Sequence, residues 1–390
     1  MFKGTINHDR LINLVQEVCR IPSVLGEEGE LAAFLESVMR DSGFENTSLQ
    51  PVLPGRPNAI GELNFGGGPR VVFTGHLDTK PVSRGWSVTT PFSGDLIDGS
   101  VYGHGIMDMK AALVCQIVAM ETLRDSGQQL NGSIAMAAVA DHMGDQTGSI
   151  AYFDTHTADL CVLGELSNNE IFLGHRGRYY FDINVLGTSA HTCHKPLAVN
   201  ANMLAAHAII ELDESHLMPI LDPWVTELFG AETFMSPGRV YGGLPPGGPS
   251  MIPDVCVIRV DCRPQPGVTT EEVEREIYRC LEIAKQRDPR FRAEVELVDV
   301  KSGYLAAPDS DVVGIMVDAV RSVRGAEPGL YSAGWLGDTA SFGHKVPTVI
   351  FGPGGEPVYC PDEHLSVADI VTATEVYATF AAMALGGVPR

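Results

Sequence analysis

The stretch Arg70–Asp78, RVVFTGHLD, decides how the rest of the chain is read. Its first six residues, RVVFTG, form a short apolar run, the pattern of a strand covered on both faces. A histidine and an aspartate follow where that strand should end, and in open α/β sheets sites lie beyond the carboxyl ends of strands. Two further runs of the same kind stand at Ser133–Ala140 (SIAMAAVA) and Leu160–Leu163 (LCVL). Helical patterns surround them. Leu11, Leu14, Val15 and Val18 share one helical face, ended by Pro22. Leu31, Phe34, Leu35, Val38 and Met39 form a second, stopped by Gly43, and Ala111 to Leu123 reads as a third. Buried strands alternating with helices predict an α/β fold with a mainly parallel sheet covered on both faces.

The pattern changes near Arg176. Tyr179, Phe181, Ile183 and Val185 alternate with polar positions, so this strand has one wet face. A helix from about Ala198 to Glu211, a strand over Val255–Cys262 and a helix to about Gln286 follow, the last opened by a capping box of Thr269 and Glu272. Phe291, Ala293, Val295 and Leu297 form another alternating strand. Three strands and two helices suffice for a small α+β domain. After about Ser302 the α/β pattern returns, with a helix over 311–323, a strand over Pro347–Phe351 and a last helix from Val367. The expected organisation is a discontinuous α/β domain, 1–176 and 303–390, interrupted by an inserted α+β domain, 177–302. A chain of 390 residues suits two or three domains at about 150 residues each.

Composition excludes some partners. With 27 basic and 49 acidic residues the net charge is −22, which repels phosphate backbones and anionic lipid, so neither nucleic acid nor a membrane surface is expected as a partner. There is no run of eighteen apolar residues, so no transmembrane helix is expected. The first twenty residues, MFKGTINHDRLINLVQEVCR, lack the apolar segment of a secretory signal. None of the eight cysteines forms a Cys-x-x-Cys pair. Reduced, mostly buried thiols in a cytoplasmic protein are the expectation.

His76 and Asp78, two apart on an extended segment, can face the same way, as a metal-binding imidazole with a carboxylate behind it fixing its tautomer. A histidine hydrogen-bonded in a turn would leave the same two letters. Asp98–Lys110, DGSVYGHGIMDMK, is a glycine-rich loop running into a helix but lacks phosphate-binding spacing. Taken alone, Asp108 reads as a helix N-cap. Together the segments are more specific. GHLDTKPV (75–82) and GWSVTTPFSGDLIDGSVYGHGIMDMKAAL (85–113) are accompanied by RPNAIGEL (56–63), LGEL (163–166), GHRGRYYFDINVLGTSAH (174–191), IPDVCVIRVDCRP (252–264) and FGPGG…PDE (351–363). In that order, along almost the whole chain, they resemble the dinuclear zinc peptidase family of acetylornithine deacetylase, succinyl-diaminopimelate desuccinylase, carboxypeptidase G and aminoacylase.

The resemblance implies a catalytic α/β domain with an inserted lid and dimerisation domain, hence a homodimer, and a small carboxylate-bearing, N-acyl amino-acid-like substrate. It also implies roles. His76 resembles the first-metal histidine, Asp78 its supporting acid, Asp108 the carboxylate bridging two metals and Glu165 the acid completing the first site. The peptide after Asp108 is expected to be cis. His191 resembles the histidine that reaches the other subunit's site and stabilises the oxyanion. Arg263 resembles the arginine that holds a substrate carboxylate. Ser250, where the family has a lid asparagine, and Gly354 of FGPGG complete the expected substrate contacts.

The resemblance breaks at two places. Where the family has Asp-Glu-Glu, this chain has Asp141-His142-Met143, in a register set by Gly148-Ser149. His142 therefore stands at the general-base position and Met143 at a ligand position of the second metal, and a thioether does not suit Zn²⁺ beside hard carboxylates. Tyr359 stands where the family has the last histidine of the second metal. The expectation is one divalent metal, zinc, at His76, Asp108 and Glu165, with the second site lost. His364, Cys360, Cys193 and His194 lie beside site motifs as substitute ligands, though each is more simply a turn or packing residue. Asp145 reads as a solvated turn residue and His104 as structural. Losing a general base costs about 10²–10⁴-fold. Amide hydrolysis should be weak or absent unless His142 takes the proton or the reaction has become non-hydrolytic, such as amide transfer, cyclisation or elimination. A non-catalytic ligand-binding or regulatory relative is the second reading. A dinuclear hydrolase with ligands from unexpected residues is the third.

Overall fold

In the computed structural model, which describes residues 4–243 and 249–386, the run RVVFTG becomes the strand Arg70–His76, buried from Val71 onward. It pairs in parallel with Ser133–Val139 on one side and Leu160–Leu163 on the other. Thr348–Ile350 adds a fourth parallel strand beside Leu160–Leu163. The apolar runs thus form the parallel centre of the sheet, as their lack of alternation predicts. The flanks are antiparallel. Arg56–Asn64 pairs with Ser133–Val139, Glu45–Leu53 with Arg56–Asn64, and Ile171–His175 with Thr348–Ile350. The hairpin of Glu45–Leu53 and Arg56–Asn64 carries no strand signal in the sequence reading, because Pro57 and Gly61 interrupt it. Gly61 serves close packing: a Cβ there would lie 2.7 Å from Met39 Sδ, on the helix Gly29–Asp41.

The helix Ala111–Asp125 is buried at every position from Ala111 to Leu123. It packs against Val367–Ala384, which also packs against Asp311–Arg324. Val367–Ala384 is long and apolar enough by composition to cross a membrane, yet over half of it is buried inside the protein. It is a core helix, and its Tyr377 hydroxyl donates to the carbonyl of Phe351.

Two compact units divide the chain. One comprises Met1–Gly174, Ala306–Tyr331 and Gly337–Arg390, and the other His175–Leu305 with Ser332–Leu336. The second holds a four-stranded antiparallel sheet in the order Phe234–Gly242, Val255–Arg263, Arg178–Leu186, Arg292–Lys301. Tyr179, Phe181, Ile183 and Val185 are its buried face. The helices Ala201–Asp213 and Thr270–Arg287 contribute Leu204, Leu212, Val273 and Ile277 to the same core, and the capping box of Thr269 and Glu272 is formed. The strand Phe234–Gly242 corrects the expectation of three strands. It is an edge strand with a bulge between Pro237 and Arg239, and proline and glycine inside it hide the alternation.

All eight cysteines are unpaired; six are buried, Cys193 is exposed and Cys360 half-buried. Burial pushes the thiols of Cys19 and Cys115 up to about 12. A thiol-reactive chromogenic reagent should therefore titrate two thiols in the native protein and eight after unfolding. Rapid native reaction of a third would contradict this packing.

Candidate metal centre

His76 is the last residue of the central strand and is fully buried. Its Nδ1 lies 2.8 Å from the main-chain carbonyl of Asp78. That contact requires Nδ1–H as donor and turns Nε2 toward Asp108 Oδ1 at 2.9 Å and Glu165 Oε1 at 3.6 Å. The expected role of Asp78 is corrected in one respect. Its main-chain carbonyl, not its carboxylate, sets the tautomer. The carboxylate instead accepts the main-chain N–H groups of His142 (3.0 Å) and Met143 (2.8 Å). Asp78 thus ties the segment after one parallel strand to the turn after its neighbour.

Asp108 lies where the glycine-rich loop meets the helix, and the Asp108–Met109 peptide is cis. It is not an N-cap: its carboxylate faces His76, and its carbonyl accepts the Tyr359 hydroxyl at 3.1 Å. Glu363, quoted in the PDE motif without a role, accepts three main-chain N–H groups, from Gly105 (3.2 Å), Met107 (3.0 Å) and Tyr359 (3.1 Å). It clamps the loop carrying Asp108 to the segment carrying Tyr359. Burial raises its carboxyl to about 7 despite these donors.

Glu165 follows the strand Leu160–Leu163 and is 2% exposed. Its Oε1 has no hydrogen-bond partner among the described residues. His142 comes from the turn after Ser133–Val139. Asn58 braces this turn, donating to Gly148 O and accepting from Ala140 N, each at 2.9 Å. Gly148 is required there, because a Cβ would sit 2.3 Å from Ala140 O. The His142 ring stacks on that of His76 with centroids 4.2 Å apart and planes 10° from parallel. Its Nε2 is 3.9 Å from Glu165 Oε1, and its Nδ1 is 3.1 Å from Asp338 Oδ1.

Asp338 has no role in the sequence reading. It precedes the short helix Thr339–Phe342 and has the look of an ordinary cap, but it makes no capping bond and its fully buried carboxylate faces His142. Met143 brings only a soft thioether, and the Tyr359 hydroxyl is engaged by the Asp108 carbonyl. Among the described residues, the potential metal-holding group is His76, His142 and Glu165, with donor atoms within 4.8 Å of one another. Asp108 adjoins it through His76. His364 stacks on Tyr102, Cys360 faces the Pro357 carbonyl, and His104 bonds to the Lys80 carbonyl. None of these contacts is with His76, His142 or Glu165.

In the second unit His191 is exposed, its Nδ1 accepting from Cys193 N, and Ser250 O accepts from Thr192 N. Arg263 is paired with Asp261 at 2.8 Å. Gly354, in the larger unit, has φ +79° and leaves no room for a Cβ, which would meet Met107 at 2.9 Å.

Burial raises Glu165 to about 8, with Asp108 adding to the effect and His76 opposing it. Burial works against a charged His76, but Glu165 and Asp108 outweigh it and hold the ring well above its ordinary value. Burial likewise opposes a charged His142, and Asp338 outweighs it. Protons thus sit where the positive charge of an ion is called for. Imidazole nitrogens and carboxylate oxygens around a buried, unpartnered oxygen suit a divalent ion.

Fold and site together define an α/β protein with a candidate metal centre whose donors lie at and beyond the ends of parallel strands. The sequence pattern of Peptidase family M20/M25/M40 matches residues 72–383, and the chain belongs to that family. It is 28% identical over 386 residues to a succinyl-diaminopimelate desuccinylase of Methylobacterium radiotolerans, covering 95% of each chain. It is 26% identical over 385 residues to another of Bradyrhizobium sp., covering 94% of this chain and 97% of that one. Its fold matches aminopeptidase PepT from Bacillus cereus with a TM-score of 0.78 at 22% identity, over 98% of this chain and 100% of that one. It also matches a dinuclear metal binding peptidase of Bacillus subtilis with a TM-score of 0.69 at 16% identity, over 98% and 99%.

Burial raises Glu165 to about 8 and the carboxylates around His76 raise its ring, so the pair retains a proton at pH 7 that Zn²⁺ binding must displace. Calorimetric titrations in buffers of different ionisation enthalpy should show proton release at pH 7. Affinity should rise with pH up to about 8, where Glu165 gives up its proton unaided. Binding without proton release at pH 7 would contradict this charge assignment.

Proposed function

We propose that this chain is a single-metal member of its family: it holds one divalent ion, zinc, through His76, Asp108 and Glu165. Its substrate is a small N-acyl amino-acid-like molecule carrying a carboxylate. The observation that carries this reading is the asymmetry of the centre. His76 and Glu165 stand together beside Asp108, whereas the second-metal positions hold Met143 and Tyr359, and the Tyr359 hydroxyl is taken up by the carbonyl of Asp108.

A bound ion would supply Lewis acidity and a more acidic water. The protein's own contribution is to hold the donors and to manage the proton. Position 142 offers no carboxylate base. Both nitrogens of His142 face carboxylates, Nδ1 toward Asp338 and Nε2 toward Glu165. Amide hydrolysis is therefore slow, or the reaction is a non-hydrolytic one such as amide transfer, cyclisation or elimination. The names of the desuccinylase relatives support an N-succinyl or similar acyl group. In this reading Arg263 exchanges Asp261 for the substrate carboxylate, His191 donates to the oxyanion, and Ser250 and Gly354 line the substrate. Asp78 acts through the His142–Met143 turn. The reading includes a homodimer in the cytoplasm. Exposed Met203 and Ile210 on Ala201–Asp213 offer apolar surface, and six buried free thiols suit a reducing compartment.

A ligand-binding relative without turnover is the second reading. It is favoured by the same confinement of His142, which leaves no free base.

Elemental analysis of protein dialysed against Zn²⁺ should give one ion per chain, and Asp108→Ala should weaken its binding. Two tightly held ions would overturn the proposal. The triple variant His142→Glu, Met143→Glu, Tyr359→His should gain a second ion. If a panel of N-acyl amino acids reveals turnover that Asp108→Ala leaves unchanged, the metal-dependent catalytic reading fails; binding of such a molecule with no turnover would leave the second reading standing.

A further inference from the structure

We infer that His142 is itself a ligand of the ion, through Nε2, and that Asp338 is the positioning residue that holds its ring. This rests on the single-ion reading above and adds to its donor set. The converging donor atoms are those of His76, His142 and Glu165, all within 4.8 Å. His76 Nε2 and His142 Nε2 stand 3.6 and 3.9 Å from Glu165 Oε1. These separations are too long for hydrogen bonds. They are close to the spacing of roughly 3.3 Å that two donors adopt on one tetrahedral zinc at ordinary bond lengths. The oxygen they share is buried and has no hydrogen-bond partner among the described residues. A buried acceptor left this way is costly, so a further partner such as a cation is called for.

The other side of the ring supports the same assignment. Asp338 is fully buried, and its carboxylate has no aligned hydrogen-bond partner among the described residues. Its nearest cationic group is His142 Nδ1, at 3.1 Å. A carboxylate behind one nitrogen of an imidazole selects the N–H tautomer there and leaves the other nitrogen's lone pair for a metal. His76 receives the same treatment from the Asp78 carbonyl. The two rings stack 10° from parallel, so their in-plane Nε2 lone pairs run side by side, and one ring must tilt about its side-chain bonds for both to meet one ion. A base serving substrate would instead need its lone pair away from the other donors.

With Asp108 the ion would have four protein donors, so water or substrate would enter only as a fifth ligand or by displacing one of them. Replacing an acidic base by histidine would then do two things: remove the proton acceptor and tighten the hold on the ion.

The test measures Zn²⁺ affinity by chelator competition and the visible spectrum of the Co²⁺ form, for the unmodified protein, His142→Ala, His142→Gln and Asp338→Asn. The expected results are weakening by 100-fold or more for both His142 variants and about 10–100-fold for Asp338→Asn. The Co²⁺ bands should change in the His142 variants, while the metal-free melting temperature of Asp338→Asn is no lower. If a His142 variant fails to fold, ¹⁵N-histidine spectra of the unmodified protein decide: Zn²⁺ must shift His142 Nε2 as it shifts His76 Nε2. One ion per chain with His142 variants unchanged in affinity and spectrum would overturn this inference alone. No ion in the unmodified protein would overturn both readings. Two ions would overturn only the single-ion reading, provided loss of His142 still weakens one of them.

Discussion

Desolvation of charge at the ends of the parallel strands is the constraint around which the larger unit is arranged. His76, Asp78, Glu165 and Asp338 are all buried, with Asp108 and His142 only slightly open. Few of them have neutral hydrogen-bonding partners, so each depends on the next for electrostatic compensation. Such a group is stable only if its charges balance. Much of the surrounding architecture fixes relative positions: Glu363 clamps the Asp108 loop, Asp78 ties two strand ends, and Asn58 braces the His142 turn.

A second buried network supports that turn from below. Arg56 reaches Glu28 at 2.6 Å and Asp141 at 2.7 Å, and Asp141 also accepts the Thr147 hydroxyl at 2.6 Å. Asp141 has φ 69°, in the left-handed region, one residue before His142. A non-glycine residue there costs free energy that the surrounding bonds must offset. The direction of the His142 ring is thus set by residues from the edge hairpin as well as by Asp338. The antiparallel flank of the sheet consequently bears on the chemistry, although no residue of it belongs to the donor cluster.

The parallel centre was legible in the sequence because strands covered on both faces must be apolar throughout, and RVVFTG, SIAMAAVA and LCVL are. The edge strands were not: Arg56–Asn64 spends Pro57, Asn58 and Gly61 on packing and bracing, so its pattern is not that of a strand. In the centre, His76, Asp108 and Glu165 were legible from motif order, and the structure brings them together. The partner of His142 was not, since an aspartate before a short helix looks like a cap whichever way its carboxylate turns. The main-chain contact that sets the His76 tautomer was equally hidden, because carbonyl direction leaves no trace in residue type. The alternating strands of the smaller unit were plain where they were central and obscured where the edge strand bends at Pro237 and Gly238.

The fully buried helix Ala111–Asp125 has a consequence for biosynthesis. One of its faces is covered by Val367–Ala384, made some 250 residues later, in the last stretch of the chain. On the ribosome the first half of the sheet must therefore wait with an apolar helix uncovered while the entire second unit is translated. Asp338 and Tyr359 emerge only shortly before the covering helix does. A nascent chain of this protein is thus exposed to wrong association until its final turn of helix arrives, a burden suited to chaperone protection.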